Sequence, residues 1–145
     1  MANDQTTVKA DYELDQQVGY LLRLASQRHA TIFQKHAVEG LTPTQFSTLI
    51  RIAEHGEVSQ NQLGRLAAMD VATIKGVVDR LKAKKLVQSR ADASDKRRSI
   101  ISLTQTGQNL TKTLHKIGTE ISAETLAPLN ENDRKTLLRI LAQIS

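Results

Sequence analysis

Apolar residues recur along most of the chain at spacings of three, four and seven, the period of helices that bury one face. Leu14, Val18, Leu21, Ala25, Ile32 and Phe33 predict one long amphipathic helix over residues 12–36. Thr42 then has the chemistry of an N-cap, with Pro43 at the first helical position, where no N–H is needed. Phe46, Leu49, Ile50 and Ile52 form the apolar face of a second helix that stops at Gly56. Ser59 followed by Gln62 reads as a capping box, opening a short third helix through Leu63, Leu66 and Ala67. Asp70 caps a fourth helix over residues 71–84, with Ile74, Val77, Val78 and Leu81 on one side. Two short helices joined by a tight turn make a helix-turn-helix, although this turn lacks the glycine often found there.

Periodicity then shortens. Residues 86–90 (LVQSR) and 99–103 (SIISL) read as two strands of a hairpin with a charged tip. Thr104 caps a fifth helix carrying Leu110, Leu114, Ile117 and Ile121 at heptad-like spacing, a stripe that suits a partner helix. Pro128 ends it, Asn130 caps a sixth, and Leu137, Leu138, Leu141 and Ile144 form the last apolar seam. The expected fold is mainly α, a winged helix-turn-helix with long N- and C-terminal dimerisation helices: six helices plus a two-stranded wing. Its 145 residues suit a single domain. Residues 37–104 would form the DNA-binding lobe, and residues 10–36 and 105–145 a helical dimerisation region.

Composition narrows the classes. Aromatics are 3% of a chain that is 39% hydrophobic, so aliphatic helix packing must build the core. No stretch approaches the roughly 18 apolar residues of a membrane span, and the polar start MANDQTTVKADYELDQQ is unlike a signal peptide, so the expected compartment is the cytoplasm. With no Cys and four scattered His, disulfides, thiolate chemistry and a metal centre are not expected, and no cofactor is implied. Nucleophile elbow, phosphate loop and ordered Ser-His-Asp are also missing, which argues against an enzyme.

Charge adds a location. Between Asp79 and Arg98 lie eight cations and three anions, an excess equal to the whole net charge of +5. A solvated face is the usual meaning of a charge run. Here the run adjoins a helix-turn-helix, which points to double-stranded DNA as partner. At about 100° per residue, burying Ile74, Val78 and Leu81 turns Ala72, Gly76 and Asp79 outward, flanked by Thr73, Lys75 and Arg80. That surface is small in the middle with donors at its borders, a shape that lets a helix approach base edges. Gly76 costs the helix about 1 kcal/mol relative to Ala; close approach to DNA would explain it, and a tolerated surface glycine is the alternative. The hairpin is then a wing. Arg97 and Arg98 are candidates for the minor groove, with Lys96 on phosphate. Asp95, two residues before Arg97, would be an unhelpful anion unless it orients that guanidinium through a charge-assisted pair, and Asp92 would cap the turn. Ser59 and Gln60 at the start of the third helix complete the candidate DNA contacts. One module makes too few base contacts for specificity, whereas two about 34 Å apart read successive major grooves.

These residues resemble the MarR family of winged helix-turn-helix regulators. TIKGVVDRLKAKKLV (73–87) is similar to its recognition helix and exit into the wing, DASDKRRSIISLTQTG (92–107) to its wing and next helix, and GLTPTQFSTLIRI (40–52) to the preceding helix. DQQVGYLLRLASQRHA (15–30) resembles members that control nicotinate breakdown. The resemblance implies an obligate homodimer built from the first, fifth and sixth helices on a pseudo-palindromic operator, usually repressing. It also implies release or modulation by a small, often aromatic, acid lodged between the dimer helices and the DNA-binding lobe. Thr73 and Lys75 fall in the DNA-reading part of the recognition helix, and Asp95 and Arg97 in the wing's Asp-x-Arg pattern. Two positions depart: Gly76 stands where a larger polar residue is common, and Lys85 replaces the usual glycine at the helix exit, which would strain a left-handed backbone.

For the effector, Tyr20, Arg23, Arg28 and His29 on the first helix and Arg51 and His55 on the second are polar residues among apolar stripes. Tyr20, Arg23, His29 and Arg51 are the candidate ligand contacts, since Arg or His suits a carboxylate. A satisfied histidine or surface arginine is the commoner meaning of each. The competing function is a constitutive architectural DNA-binding dimer without a ligand.

Overall fold

The computed structural model describes residues 11–145; residues 1–10, which include the start of the polar N-terminal stretch and position 10 of the expected helical region, lie outside the described residues. The element order is α1 (Val18–Lys35), α2 (Pro43–His55), β1 (Glu57–Ser59), α3 (Gln60–Leu66), α4 (Val71–Ala83), β2 (Val87–Ala91), β3 (Ser99–Leu103), α5 (Gln105–Thr125) and α6 (Glu131–Gln143). The expected first helix is shorter than its periodicity suggested. Leu14–Gln16 form one 3-10 turn, and Gln17 is extended at φ −89° and ψ 132° before α1 begins. The spacing of Leu14 and Val18 satisfies the helical period, but Tyr12 and Leu14 are 65% and 53% exposed, so nothing among the described residues packs against a longer helix.

Local chemistry sets the other helix starts. Thr42, Asp70, Thr104 and Asn130 each accept a hydrogen bond from the backbone N–H three residues on. The full capping box is at Thr42, where Gln45 Oε1 accepts in return from the Thr42 N–H at 3.2 Å. At Ser59 only half of the expected box is present: its hydroxyl accepts from the Gln62 N–H at 3.2 Å. Ser59 also ends β1, where it lies opposite Ile100, so its backbone serves a sheet as well as a helix.

The two-stranded wing proves to be part of a three-stranded antiparallel sheet of order β1-β3-β2. Val58 lies opposite Ile101, and Val87 opposite Leu103. β1 has three residues, too few for an alternating pattern to declare itself. Leu49, Ile52, Leu63, Ile74, Leu81, Ile101 and Leu114 are fully buried where α2, α3, α4, the sheet and α5 meet. A smaller cluster of Ile32, Phe33 and Ile121 joins α1 to α5, with Phe33 edge-on to Phe46 at 5.6 Å.

Both helix ends of the helix-turn-helix close without glycine. After α3, Ala68 at φ 54° donates to the Arg65 carbonyl and Met69 to that of Gly64. After α4, Lys85 at φ 61° donates to Lys82 and Leu86 to Leu81. Each is a Schellman closure with an L-residue in the left-handed position, at a cost of roughly 1–2 kcal/mol. Thr104 secures the second by donating to the Lys85 carbonyl at 2.7 Å. The next helix must pass close by: a Cβ on Gly107 would stand 2.1 Å from the Leu86 carbonyl oxygen. These contacts fix the direction in which the chain leaves α4 for the wing.

Candidate nucleic-acid interface

Ile74, Val77, Val78 and Leu81 anchor α4 in the core, which leaves Ala72, Thr73, Lys75, Asp79 and Arg80 exposed and Gly76 partly so. Thr73 also closes the helix start, its N–H donating to Asp70 Oδ1 at 2.7 Å. Hydrogen bonds from Thr73 hold the Asp70 carboxyl below the usual carboxylate range. One turn along, Lys75 Nζ donates to Asp79 Oδ2 at 2.8 Å. The hydrogen bond between them lowers the Asp79 pKa and raises that of Lys75, so the pair is charged on both sides at neutral pH.

The wing tip is a set of short turns organised by two carboxylates. Asp92 Oδ1 accepts from the N–H and hydroxyl of Ser94, at 3.0 and 2.9 Å, and those bonds depress its pKa. Asp95 Oδ1 accepts from the Arg97 N–H at 3.0 Å and from its Nε at 3.3 Å. The Arg97 side chain stays 92% exposed, held at its base and free to reach outward. Arg98 Nη1 lies 3.9 Å from Asp92 Oδ2, and Lys96 is exposed. Ser59 and Gln60 meet Arg97 and Arg98 across a cleft of about 80 Å³, lined also by Asn61. The structure therefore brings the start of α3 and the wing together. Asn61 and Ser99 in this cleft, and nearby Arg90, whose Nη2 donates to Glu57 Oε2 at 3.0 Å, are polar residues that sequence spacing did not single out. Their placement depends on β1.

The candidate ligand residues separate. His29 lines an apolar cleft of about 600 Å³ between α1, α5 and α6, with Leu22, Ala30, Leu137, Leu138 and Leu141 among its walls. Its Nδ1 is 2.8 Å from Thr125 Oγ1. Tyr20 and Arg23 form a cation–π pair at 5.5 Å further up α1 and do not line that cleft. Arg51 is elsewhere: its Nε donates to the Leu66 carbonyl at 3.1 Å and its Nη1 to Glu54 at 3.0 Å, while His55 Nδ1 pairs with the Arg51 carbonyl. Arg28 donates to the carbonyls of Glu124 and Thr125, closing the end of α5. No group of His, Asp or Glu among the described residues could hold a metal ion, and no described helix is long and apolar enough to cross a membrane.

Comparison with known proteins places this geometry. The sequence pattern described as the MarR family matches residues 39–98. Over 134 residues the chain is 41% identical to the HTH-type transcriptional repressor NicR of Pseudomonas putida, covering 92% of this chain and 85% of that one. A probable transcriptional regulator from Pseudomonas aeruginosa superposes with a TM-score of 0.88 at 45% identity, over 92% of this chain and all of the other. BpsR of Bordetella bronchiseptica, whose DNA binding is regulated by 6-hydroxynicotinic acid, superposes at 0.87 with 34% identity, over 93% and 97% of the two chains.

Proposed function

Because the chain belongs to the MarR family of winged helix-turn-helix transcriptional regulators, we propose that it is a cytoplasmic homodimeric repressor, released from a pseudo-palindromic operator by a small aromatic acid of the 6-hydroxynicotinic type. It binds DNA and is not an enzyme. The observation that carries the reading is the pairing, on one chain, of an outward basic α4 and wing with an apolar cleft between α1 and α6. Residues 37–104 act as the DNA-binding lobe: Thr73, Lys75 and Arg80 enter the major groove beside the small Gly76, with Ser59 and Gln60 at its edge. Lys96 meets phosphate, and Arg97, steadied by Asp95, goes with Arg98 to the minor groove. The flanking helices pair with a second copy and set the separation of the two α4 helices.

Identities of 41% to NicR and 34% to BpsR support the choice of effector class. A mostly apolar cleft with a few polar groups suits an aromatic ring, with His29 at its wall, whereas Tyr20 and Arg23 pair with each other further up α1, outside it. Arg51, held by Leu66 and Glu54, serves the packing of α2 on α3 instead.

The test titrates 6-hydroxynicotinic, nicotinic and benzoic acids into a complex of the protein with genome-selected operator, read by fluorescence anisotropy, with melting curves of the free protein alongside. Release by an acid that also raises Tm by mass action is expected. Operator binding indifferent to a broad panel of aromatic acids would favour the constitutive architectural dimer.

A further inference from the structure

Ala72, Gly76 and Asp79 follow one another on the outward side of α4 at spacings of four and three, so they share one row. Two of the three are the smallest residues available, and the third is the shorter of the two carboxylates. Among the described residues a Cβ on Gly76 would meet only Arg80 Nη1, at 3.4 Å, so no packing among them requires glycine there. An anion in this row opposes phosphate binding, and by pairing with Lys75 at 2.8 Å it cancels a cation that would otherwise add to counterion release. Its short side chain can touch DNA only at a base edge, and only if the helix sits deep in the groove. Ala72 and Gly76 permit that depth.

We propose that Lys75 and Asp79 act as one unit that reads a single G·C base pair in each half-site, Lys75 donating to guanine O6 or N7 and Asp79 accepting from the cytosine N4 amino group. The inference rests on the reading of α4 as the major-groove helix. A G·C pair presents two acceptors followed by a donor along its major-groove edge. An ammonium offers only donors and a carboxylate only acceptors. Spacing of i and i+4 keeps the two within bonding distance of each other, so they fit neighbouring groups on one base pair. An A·T pair instead places thymine O4 and the methyl group where cytosine offers its amino group, setting Asp79 against an acceptor. Asp79 thus weakens binding to DNA in general and favours one base pair in particular.

The experiment selects duplexes from a random pool with the full-length protein, then changes each base pair symmetrically in both half-sites. Affinities are measured at one salt concentration for the unaltered protein, Asp79→Ala, Asp79→Asn and Lys75→Ala. The unaltered protein should favour G·C at one position under α4 by on the order of tenfold. Asp79→Ala should lose that preference, keep the others and bind random duplex more tightly, with a steeper salt dependence from the freed Lys75. Asp79→Asn should turn towards A·T, because an amide both donates to adenine N7 and accepts from its N6 amino group. If Asp79→Ala raises affinity for every duplex by one factor and leaves base preference intact, the proposal is overturned. A protein that selects no sequence at all would instead remove the reading of α4 on which the proposal stands, a result distinct from selectivity that ignores Asp79.

Discussion

The winged lobe and the helices around it use similar aliphatic residues to different ends. In the lobe, Leu49, Ile52, Leu63, Ile74, Leu81 and Ile101 have almost no exposed surface, and every element contributes to one cluster. Outside it, α6 has no buried residue, Leu138 is 56% exposed, and Val18, Leu21 and Ile144 are exposed as well. Fully burying one such side chain stabilises a protein by about 1.5–3 kcal/mol. The lobe gains that within one chain, while the outer helices present a seam whose gain requires a second copy. The two regions should therefore respond differently to dilution.

Leu138→Glu is expected to have the largest effect, since a two-fold interface would receive the carboxylate twice, at roughly several kcal/mol each when it is buried without a partner. Sedimentation should give a mass near 16.0 kDa rather than twice that, and operator binding should be lost. A dimer that still binds DNA would show that the α6 seam is not the interface. Leu81→Ala comes next, at about 2–5 kcal/mol for a leucine removed from a closed core. Its destabilisation, read from urea midpoints, should persist unchanged across protein concentrations at which the dimer remains intact. A loss that grew on dilution would erase the distinction between the regions.

What could be read in advance followed the same division. Caps and breakers act within four residues, so Thr42, Asp70, Thr104 and Asn130 were legible as helix starts, and the core side of α4 followed from its period. Positions settled by distant partners were not. β1 exists because β3 lies beside it, and the wing is consequently one edge of a three-stranded sheet. The helical spacing of Leu14 and Val18 runs past the true start of α1, because no surface among the described residues covers them. Among the ligand candidates, composition could not tell that Arg51 closes onto Leu66 while His29 reaches a cleft formed with α5 and α6. Lys85 marks a subtler limit: its left-handed backbone is fixed by bonds to Lys82 and from Thr104, so a rule about glycine gave way to the surrounding contacts.

A smaller change separates stability from function inside the lobe. Gly76→Ala should raise thermal stability by about 1 kcal/mol, because the helix interior gains a better former and the new methyl meets only the flexible end of Arg80. If α4 lies deep in the major groove, the same methyl should weaken operator binding. A more stable protein with unchanged affinity would make Gly76 a tolerated surface residue.

The smallest effect lies where the two regions join. Glu124 on α5 accepts from Lys35 Nζ at 2.7 Å and pairs with His36 Nε2 at 2.6 Å, both at the end of α1. Hydrogen bonds from Lys35 and then His36 hold its carboxyl below the ordinary glutamate range. A depressed carboxylate contributes stability above its unfolded pKa and loses it as pH falls through the folded value. Tm of the unaltered protein should thus exceed that of Glu124→Gln near neutrality, and the two curves should converge on acidification below the glutamate range. Asp70, Asp79 and Asp92 are also depressed, but they are the same in both proteins and cancel in the difference. Because Lys35 is mostly solvated, the gap should shrink with added salt. Equal Tm for the two proteins near neutrality would show that this junction is held by the packing of Phe33 and Ile121 instead.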